Sequence, residues 1–354
     1  MVTTAGNGGD KYSGQWPKER AWAWYKSQPW FCGFNYVPAN SISYTEMWMD
    51  YAFDENLIDE ELGLAAETGF NVLRVVLPFV VWEAEPETFL RRFDAFLSIC
   101  DAHQILVMPC FFDDCVFGPI SDPEFGVQPG VVDGWYANGW TPSPGHARVR
   151  DVRVRPKLEQ YVKAVMAAHR SDARIVCWDL YNEPGNSGLG DDSLSLLVDV
   201  FRWAREIGPI HPITSGHWGA DSACNDFVLA ASDVITFHNY DPAGALCAHI
   251  ARLEVFDRPL ICSEWLNRPR GSVVADCLPV FFEKRIGALH WGLVNGKTQT
   301  HLPWGHRPGD PEPTIWQHDL YHAKTSERSE IYDPGEIEMF QQMLWHAGQV
   351  HAEE

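Results

Sequence analysis

Ile175-Val176-Cys177-Trp178-Asp179-Leu180-Tyr181-Asn182-Glu183-Pro184 is the stretch on which the fold of this chain turns. It is an apolar run that ends in Asn182 and Glu183 and is then stopped by a proline, which has no amide to continue a ladder. That is how a strand covered on both faces reads, as part of a parallel sheet. Arg258-Pro259-Leu260-Ile261-Cys262-Ser263-Glu264-Trp265 repeats the pattern and also ends on a glutamate. Moving outward from these two, similar runs occur at residues 31–36, 71–77, 105–111, 211–215, 234–238 and 286–291. With 175–181 and 259–263 they make eight expected strands.

Helix-period segments alternate with them. Ile58, Leu62 and Ala65 form one stripe that ends at Gly69, a natural C-cap, and Phe89, Phe93, Phe96 and Cys100 form another. Further helices are expected over residues 156–170, 192–207, 243–256, 272–284 and 334–347. Eight strands with intervening helices predict a single (β/α)8 barrel, the TIM barrel of the α/β class. An open doubly wound sheet is the competitor, but Gly185, Gly188 and Gly190 do not have the spacing of its glycine-rich first turn.

Three connections that follow strands are long, at residues 37–56, 113–151 and 293–333. In a barrel these βα loops lie at the catalytic face. They bring Trp48, Trp135, Tyr136, Trp140, Trp304 and Trp316 as candidate walls of a cleft. Residues 30–354 are expected to form the barrel domain, and residues 1–29 an extension packed on it or fraying from it.

Composition narrows the functions available. Hydrophobic residues make up 45% and charged residues 21% of the 354, which supports a large ordered core. A formal charge of -21 argues against nucleic acid, whose phosphates need a basic face, and favours a neutral or cationic substrate. No apolar stretch is long enough to cross a bilayer, so no membrane partner is expected. The nine cysteines include no CxxC pair, and most sit in apolar runs, as reduced thiols do. The first residues are polar and glycine-rich without a secretion signal, so a cytoplasmic location is expected. Oligomeric state is left open. The fourteen histidines show no zinc-ligand spacing, and neither a Gly-x-Ser-x-Gly elbow nor a phosphate loop occurs. Neither metal nor cofactor is expected.

Two glutamates at strand ends of one barrel mouth can share the cleavage of a glycosidic bond. One protonates the leaving oxygen while the other attacks or stabilises the anomeric carbon. Asn182-Glu183-Pro184 at the fourth strand and Glu264 at the seventh are similar to the clan A retaining glycoside hydrolases, the cellulase-like family 5 group. The resemblance extends over Arg74 in the second strand, His238 and Tyr240 in the sixth and Trp291 in the eighth. It implies a TIM barrel in which Glu183 is the acid/base and Glu264 the nucleophile, held by Arg74 and Tyr240. Asn182, His238 and Trp291 would contact the sugar, with Asp113 and Trp265 as further substrate-binding candidates. The chain departs from the pattern after the third strand, where Pro109-Cys110-Phe111-Phe112-Asp113-Asp114 stands in place of the histidine many relatives have.

The activity implied is a retaining β-glycosidase working on oligosaccharides or glycosides with a carbohydrate as its partner, exo-acting if the bulky loops close the cleft. An endo-β-glycanase on xylan, glucan or mannan, and a noncatalytic carbohydrate-binding barrel, are the alternatives. Carboxyl groups about 5–5.5 Å apart would mean retention and roughly 6.5–9.5 Å inversion.

Overall fold

The computed structural model describes residues 14–219, 221–323 and 329–353. Residues 1–13 of the expected extension and residues 324–328 of the last long connection lie outside the described residues. The strands are β1 (Cys32–Asn35), β2 (Val72–Val76), β3 (Leu106–Asp113), β4 (Trp178–Asn182), β5 (Ile213–Thr214), β6 (Gly216–His217), β7 (Ile235–His238), β8 (Leu260–Glu264) and β9 (Gly287–Trp291). All pair in parallel, in the order β5-β4-β3-β2-β1-β9-β8-β7-β6.

That order curls the sheet into a nearly closed barrel. β1 pairs with β9, and the two ends of the sheet, β5 and β6, are separated in sequence by Ser215 alone. Here the expectation of eight strands is corrected to nine. The run at 211–215 yields only β5, which pairs with β4, and a second short piece follows it, which pairs with β7. The physical reason is local: Ser215 turns its hydroxyl onto the Tyr181 carbonyl at 2.7 Å, and Thr214 turns its own onto Val234 O at 2.8 Å. Side chains take over contacts that a regular ladder would make, and the strand breaks there.

Burial explains the apolar runs. Every residue of β2, β4, β7 and β8 is buried, as a sheet with helices outside and side chains inside requires. Helix Glu55–Thr68 shows the expected stripe, with Ile58, Leu62 and Ala65 buried. Asp54 caps its start by accepting from the amides of Asn56 and Leu57 at 3.1 Å, and Gly69 ends it in the left-handed region at φ 95°. The other expected helices appear as Pro86–Ala102, Arg155–Ala168, Leu194–Ile207, Ala243–Glu254, Val274–Glu283 and Pro334–Glu353.

Helices Phe79–Ala84 and Ala223–Ala231 were not anticipated, nor was Lys18–Lys26. The last of these closes the bottom of the barrel. Its Tyr25 packs with Phe31, Val72, Met108, Cys177, Val234 and Leu289, which lie at or near strand starts, and donates to Arg285 O at 2.7 Å. Among the described residues no helix is long and apolar enough to cross a membrane.

Candidate active site

The strand ends deliver their polar side chains to one mouth. Arg74 of β2 is 1% exposed and lies at the centre of the network. Its guanidinium reaches Asp179 Oδ2 from Nε at 2.8 Å, Asn35 Oδ1 at 2.9 Å, Asn182 Oδ1 at 2.6 Å and Glu264 Oε1 at 2.7 Å. A buried cation of this kind is tolerable only because carboxylates and amide oxygens surround it. Tyr240 donates its hydroxyl to the other oxygen of Glu264, Oε2, at 2.7 Å. Glu264 is therefore gripped on one oxygen by a cation and on the other by a phenol.

Glu183 follows the last residue of β4 with φ 42°, in the left-handed region that non-glycine residues seldom adopt, and Pro184 comes next. This turn carries its carboxyl over the mouth. Glu183 Oε1 meets His238 Nδ1 at 2.8 Å, and Oε2 accepts from the Cys115 thiol at 3.2 Å and from the Asn186 amide. His238 Nδ1 also lies 3.4 Å from Glu264 Oε2. Burial holds His238 down at about 4, so at neutral pH it is uncharged and bridges the two acids through one N–H.

The two acids are close. One oxygen of Glu183 and one of Glu264 lie within 4.8 Å of each other, together with a nitrogen of His238. Burial raises both carboxyl groups above the usual range. For Glu264 this is opposed by the neighbouring His238 imidazole and by Arg74, and then by the Tyr240 hydroxyl; for Glu183 it is opposed by the Cys115 and Asn186 hydrogen bonds and more weakly by Arg74. Two buried carboxylates at this separation do not readily ionise together. Of the two, only Glu264 is in direct contact with Arg74, which favours its anion.

A cavity of about 920 Å³ opens above the pair. Phe117, Tyr136, Trp140, Trp218, Trp291 and Trp304 supply its aromatic walls. Trp140 and Trp291 meet edge to face at 5.2 Å, and Trp304 donates its indole N–H to Tyr136 at 3.1 Å. Asn182, Glu183, His238, Tyr240, Glu264 and Trp291 all reach this cavity, while Arg74 stands directly behind it.

Two expected substrate contacts need correction. Asp113 is wholly buried and absent from the cavity wall: it accepts from Asn182 Nδ2 and from Trp140 Nε1, both at 2.8 Å, so it braces two cavity residues from behind. Trp265 is also wholly buried, with its ring against Phe281, His290 and Phe340; only its carbonyl serves the site, accepting from Trp291 N at 3.0 Å. Trp265 thus turns into the core, whereas Asp113 lies on the same side as Asn182 but is covered by it and by Trp140. Of the loop aromatics, Tyr136, Trp140 and Trp304 line the cavity, whereas Trp48 is core, Trp135 lies under Arg307, and Trp316 stacks on Tyr332.

Sequence reading missed Cys115, Asn186 and Trp218. Asn186 had a signal, since it sits one turn beyond Glu183 in a Pro-Gly turn; Cys115 and Trp218 had none beyond following strands. Two side-chain groups among the described residues have a donor set compatible with a metal ion. One is the Glu183, His238 and Glu264 set, and the other is Asp94, His169 and Asp172, where Arg174 already ion-pairs with both acids at 2.6 Å.

Fold and site together define a β/α barrel with polar strand-end residues converging on one cavity. No family model matches the sequence, and neither does any curated protein. Solved structures do match. The chain superposes on the exo-β-1,4-mannosidase Op5Man5 from Opitutaceae bacterium strain TAV5 with a TM-score of 0.62 at 18% identity, covering 91% of this chain and 60% of that one. The endo-1,4-β-mannanase from Rhizomucor miehei gives 0.59 at 13% identity, covering 91% and 95%. GH5_18 from Streptomyces cattleya, in complex with GlcNAc, gives 0.57 at 15%, covering 92% and 80%. The chain thus spans about 60% of the length of the Opitutaceae protein. At these identities the likeness establishes the fold alone, a β/α barrel.

Proposed function

We propose that this chain is a retaining β-glycoside hydrolase whose acid/base is Glu183 and whose nucleophile is Glu264. One observation carries the reading: oxygens of the two carboxyl groups lie within 4.8 Å, and only Glu264 is held by a cation. Oxygens this close fit the short carboxyl spacing of retaining enzymes.

In the first step Glu264 Oε2 attacks the anomeric carbon while Glu183 gives its proton to the departing oxygen. The C–O bond breaks, the alcohol leaves, and a glycosyl ester remains on Glu264. In the second, Glu183, now ionised, takes a proton from water, which attacks the same carbon and returns Glu264 as carboxylate. Arg74 and Tyr240 steady the Glu264 charge before and after, and Asn182, turned by Arg74 and Asp113, presents its amide to the sugar.

β-Mannosides are the first substrate class to try, because an exo-β-1,4-mannosidase and an endo-1,4-β-mannanase are among the structures of like fold. Exo-action is favoured by the way the two longest loops are laced together beside Trp291. Ala137 N bonds Thr298 O at 3.0 Å, Gly134 N bonds Gln299 Oε1 at 2.8 Å, and Trp304 bonds Tyr136. Turnover of a panel of aryl β-glycosides, with Glu264→Ala as control, tests the proposal. Release of phenol from one member, lost in the variant, supports it. Sugar binding that survives Glu183→Gln and Glu264→Gln, with no turnover by the parent on glycosides or polymers, would establish a binding barrel instead.

A further inference from the structure

One arm of the cavity leaves the acid pair and runs along the helix Ala243–Glu254, and its chemistry differs from the rest. Ala245, Ala248 and Arg252 line it, at spacings of three and four residues that put them on one face of the helix. The two alanines keep the arm open. Arg252 lies about 10 Å further along the helix axis than Ala245, at 1.5 Å per residue. Among the described residues Arg252 makes neither a hydrogen bond nor an ion pair, unlike Arg270 on the same cavity, which Asp241 neutralises at 2.9 Å.

A buried donor lies on the same arm. His249 is 7% exposed and lines the cavity, and its Nδ1 faces the Asn239 amide nitrogen at 3.2 Å. An amide NH2 can only donate, so Nδ1 accepts and the neutral ring carries its proton on Nε2. That Nε2 has no partner. A second imidazole, His217, packs 5.3 Å from it, ring to ring, and its Nδ1 is also without a partner. Burial, then the neighbouring imidazole and the Arg252 charge, hold His249 down at about 4, so the ring is a neutral part of the wall, its Nε2 closed to solvent, and Arg252 supplies the arm's charge.

We infer that this arm receives the leaving-group portion of the substrate and selects one that carries an anionic group, such as a carboxylate, at its far end. The inference rests on the glycosidase reading and refines its substrate. The net charge of -21 opposes an anion at long range, yet charge beyond roughly 8 Å is screened at physiological salt, and the local Arg252 decides. The arm's one carboxylate, Asp241, is already committed to Arg270.

β-1,4-Mannotriose and its aldonate, in which the reducing-end aldehyde is oxidised to a carboxylate, form a matched neutral and anionic pair. The expected result is a kcat/KM roughly fivefold higher for the aldonate, as one partly exposed ion pair gives. Arg252→Gln abolishes the preference, so that the aldonate is turned over no faster than the neutral trisaccharide. Equal rates on the two substrates, or a preference that survives Arg252→Gln, overturn the inference while leaving the glycosidase reading intact. No turnover of either counts against the β-mannosidase reading. The inference is then decided by calorimetric binding of the same two ligands, where tighter binding of the aldonate that Arg252→Gln removes supports it and equal affinities overturn it. A phosphorylated mannotriose as a third ligand separates carboxylate from phosphate as the preferred anion.

Discussion

Among single residues, Arg74 is the one whose contacts reach both the nucleophile candidate and the strand-end network around it. It is buried against Asp179 and Glu264, so Arg74→Met strands two carboxylates, and breaking a buried pair in this way costs about 3–5 kcal/mol. Urea denaturation should show a loss of that order, with turnover abolished; a variant as stable as the parent would mean that the network is not formed. Cys115 makes a finer prediction. Its thiol donates to Glu183 and so favours the ionised acid. Cys115→Ala removes that donor, raises the Glu183 pKa and moves the alkaline limb of kcat/KM upward in pH, whereas Cys115→Ser keeps a donor and leaves the limb in place. A limb that moves down in the alanine variant contradicts the assignment of Glu183 as the acid.

At the scale of elements, the break between β5 and β6 matters for the site. A Cβ on Gly216 would stand 2.8 Å from Nε2 of His238 and 3.3 Å from its Cε1. That imidazole is buried and cannot swing away freely, so Gly216→Ala should push it off Glu183. Turnover should fall at least tenfold, while the melting temperature changes by only a few degrees, as for a local clash of about 1–3 kcal/mol. Unchanged turnover would show that His238 has no part in placing the acid.

The same break marks the limit of what the sequence disclosed. Strong apolar runs such as 71–77 and 259–263 announced their strands because both faces are covered, and each expected run holds a strand. The split at Ser215 was hidden, because it depends on where two hydroxyl groups find carbonyls across the barrel. The site followed the same rule. Glu183, Glu264, Arg74, His238, Tyr240 and Trp291 were legible because strand ends fix them. Asp113 and Trp265 were misplaced for different reasons: Trp265 turns into the core against Phe281 and Phe340, while Asp113 is covered by Asn182 and by Trp140 of a long loop, which local sequence does not disclose. Trp218 and Cys115 sit on loops whose paths local sequence does not determine.

Taken as a whole, the molecule combines a buried polar interior with a strongly acidic surface, and this sets how its stability varies with pH. Glu61, Asp114 and Asp319 are buried, and burial raises each to about 7. Their unfolded values are near 4, so between about pH 4 and 7 the folded chain holds more protons than the unfolded one. Their stabilising contribution is full below about pH 4 and is lost as the pH rises through 7. Thermal melts should therefore show a melting temperature that falls from pH 5 to pH 8; a rise over that window would mean these carboxyl groups are ionised at little cost. The barrel's central claim is that its two closely spaced glutamates act by double displacement. Proton NMR of the first sugar released from an aryl β-glycoside substrate tests this most directly. The account predicts that the β-anomer appears first and then mutarotates, and an α-anomer appearing first would contradict it.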